Sequence, residues 1–208
     1  MTAVKHEWRK HEKGLYCPKQ QAVQVTVPRM KFLVLDGSGN PNHPAFADDI
    51  ETLYSLSYGI KMLPKKGVMP DGSFDYTVYP LEALWKQIEH TDQFDKNNLQ
   101  YRVMIRQPDF VTPDVLEAAI INVSKKKSLP RFKDVRLESI EDGDCVQILH
   151  VGPYDDEPDS FMKVDEFCSA HNLQRVNEEW HREIYLSDAR KVEPAKLKTV
   201  LRVQVKRG

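Results

Sequence analysis

The chain has 208 residues, enough for one domain or two small ones around a substantial core. Its 30 basic and 31 acidic residues leave a net charge of -1, which argues against a dedicated nucleic-acid or membrane-surface protein. Cys17, Cys145 and Cys168 are an odd number with no Cys-x-x-Cys spacing, which suits a reducing cytoplasm, and no apolar run is long enough to span a bilayer.

Residues 1–20 read as a polar N-terminal arm or short helix without an apolar leader. Extended segments are predicted from Ala22 to Val27 and from Met30 to Leu35, ending at Gly37, Gly39 and Pro41. Asn42 or His43 then caps a helix that has Pro44 in its first turn and Asp48 and Asp49 near its positive end. Phe46, Ile50, Leu53, Ser57 and Ile60 form its expected core stripe. Strands follow at Phe74–Val78, Leu81–Gln87 and Leu99–Gln107, and Thr112 with Pro113 opens a second helix to about Lys126. From Val135 the pattern predicts a hairpin turning at Asp142-Gly143, a strand Cys145–Val151, a helix Pro158–His171, a strand through Glu183 and a last strand Val200–Val205.

The second half restarts the first. Gly37 precedes Phe46 by the same nine residues that separate Gly152 from Phe161. Arg102-Val103-Met104-Ile105-Arg106 matches Arg202-Val203-Gln204-Val205-Lys206 at an offset of one hundred, which makes Trp85 the counterpart of Tyr185 and Ala83 that of Glu183. The expected architecture is α+β: one domain over residues 21–208, built of two pseudo-symmetric strand-helix-strand-strand units, about 21–110 and 133–208, with antiparallel sheets around a central ligand cleft. That groove would receive Trp85 from one half and Tyr185 from the other.

Within Glu179–Asp188, strand alternation gives Trp180, Arg182, Ile184 and Leu186 one largely apolar face and His181, Glu183 and Tyr185 the other. A carboxylate between two rings is ordinary surface if solvated, and a site for a cationic or electrophilic aromatic ligand if it lines a concavity. Other motifs fall away. His6 and His11 are five apart and diverge by about 140° on a helix of ~100° per residue, so they do not match a zinc-protease pair. Gly37-Ser38-Gly39-Asn40 lacks the third glycine of a dinucleotide fingerprint, and the acidic run Asp155-Asp156-Glu157 reads as a helix entry rather than a calcium loop.

His181-Arg182-Glu183-Ile184-Tyr185-Leu186-Ser187-Asp188, followed by Glu193-Pro194 and Lys196-Leu197-Lys198-Thr199, resembles the C-terminal signature of stand-alone GyrI-like (gyrase-inhibitor-like) small-molecule-binding proteins. Leu35-Asp36-Gly37 with Gly39-Asn40-Pro41-Asn42, Tyr79-Pro80-Leu81-Glu82 with Leu84-Trp85, and Val151-Gly152-Pro153-Tyr154-Asp155 with Glu157-Pro158 extend the likeness over nearly the whole chain from Met30. The resemblance implies a two-unit α+β fold around a ligand cleft with its glutamate at Glu183. It also implies binding of flat, drug-like aromatic molecules and, in some stand-alone members, hydrolysis of the cyclopropane in DNA-alkylating toxins. On that footing Glu183 is the expected general base, assisted by Tyr185 or Tyr101. Trp85, Tyr154, Phe46, Met104, His150 and His181 are the expected ligand-binding residues. Neither metal nor cofactor is expected; the partner is a small aromatic ligand rather than nucleic acid or membrane, and the chain is expected as a monomer or weak dimer in the cytoplasm. The alternatives are a non-catalytic sequestering protein and a macromolecular inhibitor of the gyrase-inhibitor type.

Overall fold

The computed structural model describes residues 5–88 and 95–208. In chain order the elements are α1 (Trp8–His11), α2 (Lys13–Tyr16), β1 (Val23–Val27), β2 (Met30–Ser38), α3 (Pro44–Lys61), β3 (Leu81–Gln87), β4 (Leu99–Gln107), α4 (Pro113–Ser124), β5 (Arg136–Ile140), β6 (Gly143–Val151), α5 (Glu157–Ala170), β7 (Leu173–Arg175), β8 (His181–Tyr185) and β9 (Lys198–Arg207). They fall into two compact units. The first holds the residues up to Trp8, Met30–Leu81 and Gln87–Ile140; the second holds Arg9–Arg29, Glu82–Lys86 and Glu141–Gly208.

In the first unit β2 is flanked by β4 and β5, both antiparallel to it. Proline at the first turn starts both helices, and Thr112 caps α4 by accepting the Val115 amide. The buried stripe of α3 differs from the expected one. Asp49, Thr52, Leu53, Leu56, Ser57, Gly59 and Ile60 are buried, whereas Phe46 and Ile50 are half-buried. Asp49 is therefore a core residue rather than a dipole-end charge, because Arg131 Nη1 reaches both of its oxygens at 2.7 and 2.6 Å. Residues 74–78 form no strand beyond a single bridge between Tyr76 and His6. Their rings pack instead, Phe74 lying edge-on to both Tyr76 and Phe110.

In the second unit the strands run β1-β6-β9-β8-β3, antiparallel at every step, and β7 adds to β9. Strand β5 pairs with β2, and β6 pairs with β1 and β9, so the hairpin expected at Asp142-Gly143 does not form. The turn is held elsewhere, since Asp142 accepts a bond from Arg182 at 2.8 Å. Val164 and Cys168 of α5 pack on Val146 and Ile148 of β6 and Leu201, Val203 and Val205 of β9. The segment expected as an arm carries α1 and α2, and buries Trp8 and Tyr16; its first four residues lie outside the described ones. Among the described residues, no helix is long and apolar enough to cross a membrane.

Candidate active site

Strand β8 is the centre of the second unit's chemistry, because its period of two turns alternate side chains to opposite faces. One face carries Arg182. This arginine is 3% exposed, and it donates to Glu82 and Asp142, each at 2.8 Å. The register places Arg202 of β9 directly opposite, where its guanidinium bonds Gln147 and the Leu15 carbonyl. The face expected to be largely apolar thus holds a buried ionic cluster whose two carboxylates match its two guanidinium groups.

The other face carries His181, Glu183 and Tyr185. Glu183 is 8% exposed, so the solvated alternative does not describe it. Its Oε2 accepts the Tyr185 hydroxyl at 2.7 Å, and its Oε1 lies 2.9 Å from His181 Nε2, which must carry a hydrogen to bond a carboxylate. Trp85 Nε1 donates to the Tyr185 hydroxyl at 2.8 Å, completing a chain Trp85 to Tyr185 to Glu183. In the β3–β8 register Ala83 stands directly opposite Glu183, and Trp85 opposite His181. Three pairs at an offset of one hundred therefore touch: Glu82 with Arg182, Ala83 with Glu183, and Trp85 with Tyr185.

Trp85 and Tyr185 both belong to the second unit, although the repeat had placed one in each half. The phenol is committed as a donor: burial and the Glu183 charge raise the Tyr185 pKa well above its ordinary 10. Tyr154 stands edge-on to Tyr185 with centroids 6.0 Å apart, and burial, Glu183 and Glu157 push its pKa up to about 12. Phe161 is edge-on to His181 at 4.9 Å. Half-buried His181 and exposed Tyr154 are where solvent reaches the site.

Glu157, read from the sequence as a helix-entry charge, is 6% exposed and turns its carboxyl towards Glu183. The ligand-type atoms of Glu157, His181 and Glu183 all lie within 4.8 Å of one another. Burial and then the Glu183 charge push the Glu157 pKa up to about 9, which favours the neutral carboxyl there. A signal for it was present. Glu157, Ser160, Val164 and Cys168 recur at helical spacing on one buried face of α5.

His150 supports the site without belonging to its reactive face. Its Nε2 is 2.9 Å from the Pro153 carbonyl and must donate, which leaves Nδ1 to accept the Ser160 hydroxyl at 3.0 Å. That pair braces the turn at Gly152, whose φ of +147° favours glycine, and so sets where Tyr154 and Glu157 begin. Three expected residues lie in the first unit. Tyr101 donates to Asp49 at 2.9 Å, and burial and Asp49 raise its pKa; Phe46 packs edge-on against it at 4.9 Å. The Tyr101 ring covers Gly37, its cross-strand partner, where any Cβ would collide with it. Met104 is fully buried in β4. It is Tyr185, and not Tyr101, that bonds Glu183.

Residues 21–206 match the family model of the GyrI-like small molecule binding domain. The chain belongs to that family. A structure described as a hydrolase from Listeria innocua is 36% identical, with a TM-score of 0.90 over 97% of this chain and 100% of that one. An uncharacterized conserved protein from Listeria innocua is 37% identical, with a TM-score of 0.91 over 97% of this chain and all of its own. The EcmrR C-terminal domain, at 12% identity and a TM-score of 0.53 over 90% of this chain and 98% of its own, shares the fold. No curated protein matches the chain.

Proposed function

We propose that this GyrI-like protein binds flat aromatic molecules at the Glu183 face and adds water to them, opening a cyclopropane conjugated to a dienone. The observation that carries this reading is the Glu183 carboxylate itself. It is buried and fixed by Tyr185 and His181 at hydrogen-bond distance, beside a second carboxyl that burial keeps neutral. Such a fixed anion can take a proton from a water on the open His181 and Tyr154 side. As the proton passes to Glu183, the water oxygen bonds the ring methylene and the strained C–C bond breaks. The electron pair ends on the dienone oxygen, which becomes a phenolate and is then protonated from solvent. Tyr154 supplies an exposed ring against which a planar substrate can pack. The relatives described as hydrolases support turnover of some kind, and the cyclopropane is what the resemblance to the stand-alone members of the family implies.

Incubating the protein with a cyclopropane-bearing alkylator should yield a product heavier by one water, with oxygen-18 from labelled solvent appearing at the opened methylene. Unchanged substrate would sink the hydrolase reading and favour sequestration. In that case matched cationic and neutral dyes decide the basis of binding, since a Glu183 that pairs with cations selects the charged member.

A further inference from the structure

We propose that Glu157 and Glu183 work as one proton-sharing pair, in which Glu157 holds the proton and Glu183 the charge. Glu157 is the first residue of α5, and the groups that face it are Glu183, Tyr185 and His181 of β8, and Tyr154 and Asp155 of the preceding turn. Among the described residues, the groups that shift its proton affinity most include neither lysine nor arginine. Glu183 receives the Tyr185 hydroxyl and His181 Nε2, whereas Glu157 Oε1 is buried with no hydrogen-bond partner. The two sides of the pair are therefore unequal. A carboxylate is stabilised where donors converge and penalised where they are lacking, so the charge settles on Glu183. The amide end of α5 favours charge at Glu157 only weakly, and a second buried carboxylate beside the first costs far more.

The catalytic consequence rests on the hydrolase reading above. When Glu183 takes a proton from water the pair holds two protons, and it returns to one by releasing a proton to solvent as the phenolate is quenched. Glu157 touches Glu183 and not the substrate. It is a positioning residue that keeps the base anionic and the site at a single negative charge.

The test does not depend on turnover. Infrared spectroscopy of protein carrying isotope-labelled glutamate should show a protonated carboxyl band at neutral pH that Glu157→Gln removes; its absence from the wild type overturns the proposal. Denaturation midpoints give an independent readout with a defined sign. The carboxyl's ordinary value is 4.5 and its folded value about 9, so the folded state keeps the proton across that window. Its contribution to stability is full below about 4.5 and is lost as pH rises towards 9. Glu157→Gln should flatten that decline, and identical pH dependence in the two proteins would contradict the proposal. Titration with zinc should leave the band in place, whereas stoichiometric zinc binding that releases the proton would make the cluster a metal site and overturn the pairing. With an activated cyclopropane, Glu157→Gln should keep turnover within about threefold, because its amide donates as the neutral carboxyl does. Glu157→Leu should lose about tenfold to a hundredfold, the worth of a hydrogen bond to a charged group. If the wild type shows the band but no turnover, the pair stands and the hydrolase reading falls.

Discussion

The two faces of β8 both bury carboxylates, and they do so on opposite terms. On one, Glu82 and Asp142 each meet Arg182, with Arg202 directly across on β9. On the other, Glu157 and Glu183 meet each other, with two phenols, an imidazole and an indole around them. On the first face Arg182 ties β3, β8 and the 141–143 turn together through its two carboxylates. On the pairing proposed above, the second keeps one negative charge and a proton to place. A buried carboxyl carries chemistry when its neighbours hold it without neutralising it, and that condition separates these faces more clearly than burial does.

The largest effect expected from breaking this contrast is on the paired face. Arg182→Leu leaves Glu82 and Asp142 buried without their cation and should cost about 3–5 kcal/mol in chemical denaturation. A loss below about 1 kcal/mol would mean that the cluster is not what organises β8. Trp85 is 7% exposed, so Trp85→Ala should cost a similar amount through its cavity. The gentler Trp85→Phe keeps an aromatic ring but removes the donor to Tyr185, a loss of about 0.5–1.5 kcal/mol before any cost of the smaller ring. Affinity for a flat aromatic ligand, measured on the folded fraction, then shows whether the indole has any role beyond support. The smallest effect is expected in the first unit. Tyr101→Phe should leave turnover within about twofold, because its hydroxyl is spent on Asp49; a fall of about tenfold or more would give Tyr101 a part in turnover.

Much of this was legible in the sequence, for reasons that also explain what was not. Alternation put His181, Glu183 and Tyr185 on one face, where the structure joins them by hydrogen bonds, and prolines 44 and 113 marked their helices because proline suits a first turn. The offset of one hundred anticipated which residues of β3 and β8 correspond, and in the structure those residues touch. Arg182 could not be read as part of an ionic cluster, because its partners lie 40 and 100 residues away in sequence. Glu157 was obscured by its acidic neighbours, as a charge at a helix start is usually solvated. The expected hairpin at Asp142-Gly143 failed because a turn-forming dipeptide fixes a local bend without fixing which strands pair afterwards.

The central claim, that Glu183 is the base of a water-adding reaction, is tested most directly by single-turnover hydrolysis of an activated cyclopropane by Glu183→Gln beside the wild type, with denaturation curves for both. The substitution keeps shape and removes the base, so the rate should fall by about 10²–10⁴-fold while stability is kept. Turnover within a few-fold of wild type in a stably folded Glu183→Gln protein would contradict the account.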